Sequence, residues 1–546
     1  MKKLKLLVII TMIGLGISGC SPKEENIPTK DIEKSTINSS YINLTMVKPE
    51  TINPITNKDK SVGYILSLIY DGLFTIDENY NVILQLVKEY GISQDGMSID
   101  IQLNDAKWHN DKPVTSYDVK YTVDLIKSNL DSPYNVLVSN ISSIYVKSDK
   151  EFTINFKDRY AFSIDTLIFP IVSKDILGKL NKNDISQEKY NLIGSGAYKI
   201  EKYGAREGMI LSVNKNYYKE LPHYSKDIKV GIVPDEEAQV SMVMALDSDI
   251  NNIELSDLSK FNNEKQFNLT KYEGRDYESI LFNYNNIIFK DINFRKAIAH
   301  AINKTRILEE GYIGDAKLIN FPLNSKSKYY NEDVKQLEYN KDKAKEYLTK
   351  INVENINDIN SEHNKKSKNN ENKTEENKKE KDKNEMLKEL FNSLDLKIVV
   401  SKTNNERVKT AHLIKEDLKS IGIKSTVVEL EGEELNKAID NKEYDVAIVG
   451  WELSNIPDAT SIIKASGYTD EKLEGYITSL INSTSQSQTK EIYKSLQNYV
   501  NNNVLFMSLV IRDDYIVTNN RLEGKILPND FDVYEGIINL NIKNMD

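Results

Sequence analysis

Apolar residues recur along this chain at two spacings, one helical and one strand-like. Val62, Ile65, Leu66 and Ile69 stand at i, i+3, i+4 and i+7, which predicts one apolar helix face. Short apolar segments near 81–87 and 97–103 predict strands, and the pattern over 145–156 predicts more strand. Thr115-Ser116-Tyr117-Asp118 has the form of a capping box, with Asp in place of Glu. The helix behind it would bury Val119, Val123 and Ile126. Gly194-Ser195-Gly196 reads as a turn into a short strand over 197–200. From Asp291, Phe294, Ala297, Ile298, Ala301 and Ile302 share one face of a further helix.

The last third is more regular. Leu396–Val400 reads as a buried strand, Arg407–Ser420 as a helix, and Lys424–Leu430 as a second strand. A short helix near 433–440 and a strand over Asp445–Val449 complete a β-α-β-α-β series. Such a series predicts right-handed crossovers and a largely parallel sheet. Ligands of these sheets meet the carboxyl ends of the strands, where Gly450-Trp451 would follow the last one. Between these regions, no apolar residue occurs from Ser361 to Glu385. We read about 355–388 as a disordered surface insertion, because it cannot bury enough surface to offset its ordering entropy.

The N-terminus is an address. Lys2, Lys3 and Lys5 precede an apolar stretch over Leu6–Ile17, too short for a stable membrane anchor and suited to secretion. It ends in Ile17-Ser18-Gly19-Cys20, which resembles a bacterial lipobox. That resemblance implies a signal peptide over 1–19, lipidation of Cys20, and a polar tether over 20–40. Acyl chains on one residue would anchor the chain firmly to the membrane.

Composition narrows the remaining classes. With 546 residues, 39% hydrophobic and 28% charged, the chain can build several cores, and no other apolar run is long enough to span a bilayer. Its net charge of −10, about −13 without the leader, opposes binding to nucleic acid or to an anionic membrane surface. Cys20 is the single cysteine, so intrachain disulfides are excluded. His109, His223, His300, His363 and His412 have no metal-ligand spacing, and neither a Walker A nor a GxSxG sequence occurs. The chain therefore reads as a non-enzyme with no cofactor and no metal site.

Several segments resemble one family in order. Lys107-Trp108-His109-Asn110-Asp111-Lys112-Pro113-Val114-Thr115-Ser116-Tyr117-Asp118-Val119 is the most specific of them. Thr51–Pro54, Ile69–Phe74, Gly194–Tyr198, Asn214–Tyr218, Asn293–Ala297, Ile414–Leu418 and Tyr444–Val446 with Gly450-Trp451 follow the same pattern. Together they resemble the extracytoplasmic solute-binding proteins, family 5, of oligopeptide, dipeptide and nickel ABC importers.

The resemblance implies an α/β two-lobed, type II periplasmic-binding-protein-like clamp with an extra small α+β domain. Lobe I would comprise 41–60, 190–275 and 503–546, the extra domain 61–189, and lobe II 276–502. It also implies a lipid-anchored monomer on the extracytoplasmic face that captures peptides and hands them to ABC permease subunits. A nickel chelate, an oligosaccharide, or a peptide-sensing surface lipoprotein are the alternatives. Ligand residues implied by position are Trp451, Tyr134 and Arg407, the last as a cation for a ligand carboxylate. The family's ammonium-binding Asp position holds Ser454, or Asn455 with a one-residue slip, and neither is charged. Glu452 or Asp458 would then have to supply that charge. Phe506-Met507-Ser508 replaces a tyrosine-rich C-terminal strand, which implies a less aromatic pocket.

Overall fold

The computed structural model describes residues 40–180, 191–262, 264–352 and 385–543. The leader, Cys20 and nearly all of the tether lie outside the described residues, as does the body of the Asn/Lys/Glu-rich insertion. Residues 385–388, expected within that insertion, instead begin a helix over 385–393. Leu387 is buried there, with Met386 and Leu390 half-buried beside it, so this end has an apolar face to pack.

The first lobe carries a four-stranded sheet ordered Ile42–Val47, Ile228–Val233, Gly208–Val213 and Tyr198–Gly204. Only the first pair is parallel, in register from Ile42 opposite Ile228 to Val47 opposite Val233. A smaller antiparallel sheet of Val87–Ile92, Ser98–Leu103, Glu151–Phe156 and Ile141–Val146 shares its core. Alternation puts Ile99, Ile101, Phe152 and Ile154 on its inner face. Helix Ser116–Ser128 packs Val119, Val123 and Ile126 into this same core. Its capping box forms as expected, with the Thr115 amide donating to Asp118 Oδ2 at 2.8 Å.

The family signature has a structural task. The His109 backbone amide donates to the Gly194 carbonyl at 2.9 Å, and the Gly194 amide donates back to His109 Nδ1 at 3.2 Å. His109 Nε2 meets the Gly196 carbonyl at 3.1 Å. A side chain at Gly194 would begin 1.9 Å from the Ile69 carbonyl oxygen, so only glycine fits the turn. Two motifs 85 residues apart are thereby one joint.

A seven-stranded sheet runs from the first lobe into the second. Its path is Ile250–Ile253, Met507–Asn519, Phe267–Phe282, Val446–Glu452, Asp395–Ser401 and Lys424–Leu430, with Ala316–Leu318 added alongside Met507–Asn519. The β-α-β-α-β series is present, with helices Asn405–Ser420 and Gly432–Asp440 as its crossovers. Its three strands are mutually parallel. The sheet as a whole is nevertheless mixed, because Phe267–Phe282 runs antiparallel to both of its neighbours. The expected strand over Asp445–Val449 also runs on to Glu452, since Gly450, Trp451 and Glu452 pair with Glu278, Tyr277 and Asp276. Gly450-Trp451 thus lies inside the strand rather than after it.

Two strands connect the lobes. Phe267–Phe282 has 16 residues and Met507–Asn519 has 13. Tyr272 and Ile516 belong to the first core, while Ile280, Phe282 and Met507 belong to the second. Their register shifts twice, between Glu278 and Ser279 and, more widely, between the Glu273–Asp513 and Tyr277–Ile511 pairs, where Gly274, Arg275 and Asp276 bulge out of the ladder. A glycine inside a strand often marks such a bulge. A Cβ on Gly274 would lie 2.6 Å from Asp514 Oδ2 and 3.0 Å from the Arg512 carbonyl oxygen.

Candidate ligand-binding cleft

The bulge projects Arg275 to the meeting point of three cavities. Its Nη1 donates to the Leu453 carbonyl at 2.7 Å, and its other nitrogens contact Glu452 and Asp530. The guanidinium also lies 4.0 Å from the centre of the Phe531 ring. Lys60, the first residue of helix Lys60–Ser67, reaches the same two carboxylates at 2.9 and 3.6 Å. Burial alone would raise the Glu452 carboxyl. The Lys60 hydrogen bond and the Arg275 charge together outweigh it and hold Glu452 below the usual carboxylate range.

A cavity of about 360 Å³ opens on one side of Arg275, lined by Tyr64, Pro133, Tyr134 and Phe531 among others. A second, of about 460 Å³, shares Lys60, Tyr64, Arg275 and Asp530 with it. The walls of the second hold eight carboxylate residues against the two cations. Within it, burial pushes the Asp514 carboxyl up to about 7, with the Asp530 and Asp276 charges adding to the shift. Asp514 accepts no side-chain hydrogen bond among the described residues. A third cavity, about 140 Å³, lies beneath the loop that follows Glu452.

The structure gathers four of the residues expected at the site around that third cavity: Trp451, Ser454, Asn455 and Asp458. Trp451 is half-buried, its ring 6.1 Å from that of Tyr277. Ser454 is exposed and accepts from the Ile456 amide at 3.1 Å. Asn455 donates to the Asp165 carbonyl at 2.9 Å. Asp458 accepts from the Tyr160 hydroxyl at 2.8 Å and from the Thr460 amide at 2.9 Å. Tyr134 stands apart, on the 360 Å³ cavity, where burial pushes its phenol up to about 12.

Arg407 is placed differently from the expectation. Its Nε and Nη2 donate to the two oxygens of Glu278 at 2.7 and 2.9 Å, a fork-to-fork pair. Glu278 is 2% exposed, and a Cβ on Gly450 would fall 2.0 Å from Arg407 Nη2. Arg407 neutralises a carboxylate buried in the sheet and is absent from the walls of the three cavities. It is not positioned for a ligand carboxylate.

Sequence reasoning missed Lys60, Arg275, Asp514 and Asp530. One signal was present in Gly274-Arg275-Asp276, a glycine and two charges within a strand pattern. Another was Arg512-Asp513-Asp514, three charges in the middle of an apolar strand. Among the described residues no group of His, Cys, Asp or Glu is arranged to hold a metal ion. Among them, too, no helix is long and apolar enough to cross a membrane.

Similar proteins share this architecture. The oligopeptide-binding protein AppA of Bacillus subtilis is 25% identical over 485 residues, covering 85% of this chain and 83% of its own. The solved substrate-binding protein CtaP of Listeria monocytogenes superposes with a TM-score of 0.71 at 20% identity, covering 92% of this chain and 99% of its own. HbpA2 of Haemophilus parasuis gives a TM-score of 0.74 at 19% identity, covering 92% and 100%. These relatives bear out the type II clamp with its extra domain, and the curated relative is a binding protein rather than an enzyme. Residues 81–472, well over half of the chain, match the family described as bacterial extracellular solute-binding proteins, family 5 middle, and the chain belongs to that family.

Proposed function

We propose that this chain captures short extracellular peptides between its lobes and delivers them to the membrane subunits of an ABC importer. The observation that carries the reading is the pair of adjoining cavities at Arg275, the second of which takes Asp276 and Glu452 from the second lobe and is walled by eight carboxylate residues. A cationic group would be favoured in the carboxylate-walled one. The similarity to an oligopeptide-binding protein over 85% of the chain supports the same ligand class. Ser454 and Asn455 carry no charge, so the peptide ammonium is met instead by Asp514 and Asp276 beside the bulge.

In this reading Cys20 carries the lipid, residues 20–40 are the tether, and the clamp works as a monomer outside the membrane. The first lobe takes 41–60, 190–275 and 503–546, the extra domain 61–189, and the second lobe 276–502. Ligand contacts made to both lobes favour their closure, and the closed surface is what the permease recognises.

Native mass spectrometry of the purified protein, followed by denaturation and sequencing of released material, tests the ligand. A heterogeneous set of short peptides is expected. A single non-peptide mass would overturn the reading. Mass analysis of the N-terminal peptide from wild type and Cys20→Ser tests the anchor, which should add acyl mass only in the former.

A further inference from the structure

A fourth cavity, of about 270 Å³, shares no lining residue with the three around Arg275. Its walls come from the small domain, through Tyr90, Arg159–Ala161 and Ser163–Asp165, and from the second lobe, through Lys328, Tyr329 and Ser483–Gln486. Asp165 is 8% exposed, yet its carboxylate accepts no hydrogen bond from another residue among the described residues. It forms no ion pair among them either, although Lys328 lines the same cavity. A buried carboxylate whose hydrogen bonding comes only from its own amide is costly, and a bound cation offsets the cost. Burial pushes the Asp165 carboxyl up to about 7 against the opposing charge of Lys328. The same carboxylate raises the hydroxyls of Tyr329 and Tyr90, after the larger effect of burial on each, and both tyrosines line the same cavity.

Groups of opposite preference line the rest of the cavity. Arg159 donates Nε to the Asp95 carbonyl at 2.6 Å and only a long 3.4 Å contact from Nη1 to Asn482, which leaves Nη2 for a ligand. Thr484, Ser485 and Gln486 bring in the start of the 18-residue helix Gln486–Asn503. Ser485 caps the Gln488 amide at 3.2 Å, while the Gln486 and Ser487 amides carry no hydrogen bond among the described residues. A helix start of this length favours an anion. The cavity thus offers an anionic group and two tyrosine rings, together with cationic groups and helix amides.

We propose that this cavity is a second binding site, for a zwitterionic ligand the size of a free amino acid. Asp165 holds the ammonium between the Tyr90 and Tyr329 rings, and Arg159, Lys328 and the helix start hold the carboxylate. Carboxylate-plus-ring recognition of a cation is a recurrent arrangement. Because the walls belong to two different parts of the molecule, occupancy would favour the arrangement that brings them together. The site is independent of the peptide reading above and stands or falls separately.

The test is isothermal titration of the full chain with free L-alanine, L-leucine, L-lysine and L-glutamate, each beside its N-acetyl and α-amide forms. At least one free amino acid should bind at one site per chain. Its N-acetyl form should bind ~10-fold or more weakly, as loss of a charge-assisted contact implies. Asp165→Asn should weaken the free amino acid by a similar factor without altering the far-ultraviolet circular dichroism. A peptide mixture that fills the main cleft should not displace it. The proposal is overturned if no free amino acid saturates, if the N-acetyl form binds equally well, or if peptide competes. The acetyl comparison uses wild-type protein and decides the matter even where the variant fails to fold.

Discussion

The Lys60 ammonium lies 2.9 Å from the Glu452 carboxylate, joining the start of the first helix to the end of a second-lobe strand 392 residues later. Both side chains are about half exposed, so the pair is a modest tie, worth roughly 0.2–1 kcal/mol. The folded Glu452 carboxyl sits below its ordinary value, so its contribution is present above the unfolded pKa and fades as pH falls through the folded one. Urea unfolding of wild type and Glu452→Gln should differ slightly at pH 7 and converge below about pH 4. A difference that persisted in acid would show that the residue acts by packing and not by charge.

His109 gives the opposite kind of group a similar pH signature. Burial, against the Gly196 carbonyl, lowers its pKa to about 4, so the folded protein holds it neutral. The unfolded chain takes up a proton near pH 6.5, whereas the folded chain does so only near pH 4. Stability is therefore full above about 6.5 and declines as pH falls toward 4, by roughly 2–3 kcal/mol. Removing the ring, as in His109→Gln, should abolish that portion of the slope, which unfolding curves taken at half-unit pH steps will resolve.

Asp514 has its folded carboxyl raised to about 7, so it destabilises the fold progressively as pH rises from about 4 through 7. Asp514→Asn should therefore stabilise the unliganded protein by about 1–3 kcal/mol at pH 8 and weaken cationic peptides. In wild type, a bound ammonium should expel the proton that Asp514 retains near neutrality. Calorimetry in two buffers of different ionisation enthalpy should reveal proton release on peptide binding at pH 6.5, absent from the variant. Equal heats in the two buffers would remove Asp514 from the ligand site.

Arg521 and Asp249 form a fully buried ion pair, 2% and 0% exposed. Asp249 also accepts from the Asn43 amide at 2.7 Å, and Arg521 donates to the Tyr41 carbonyl at 2.9 Å. Losing one partner of a buried pair costs about 3–5 kcal/mol. Asp249→Ala should lower the urea midpoint accordingly, while Asp249→Ala with Arg521→Met should recover part of the loss.

The repeating patterns in the sequence mark what depends on neighbours close in the chain. The capping box at Thr115, the helix from Asp291 and the β-α-β-α-β series all follow from spacing within a dozen or so residues. What spacing cannot carry is the partner across the sheet. Arg407 looked free at a helix start, but Glu278, 129 residues earlier, occupies its guanidinium. Trp451 was expected past a strand end, yet pairing with Tyr277 extends that strand. The cleft's charged centre escaped for the same reason. Lys60, Arg275, Glu452 and Asp530 are distributed over most of the chain, and only the fold assembles them.

The ladder that passes between the lobes has a consequence for how the molecule can be divided. The chain crosses from one lobe to the other in Phe267–Phe282 and returns in Met507–Asn519, and these two passes are hydrogen-bonded to each other. A single cut between the passes leaves two fragments, each containing a whole crossing strand and parts of both lobes. Neither lobe can be released intact by one cut, and fragments from such a nick should stay associated until denatured. The order of the sequence and the division of the body into halves are, in this protein, two different partitions.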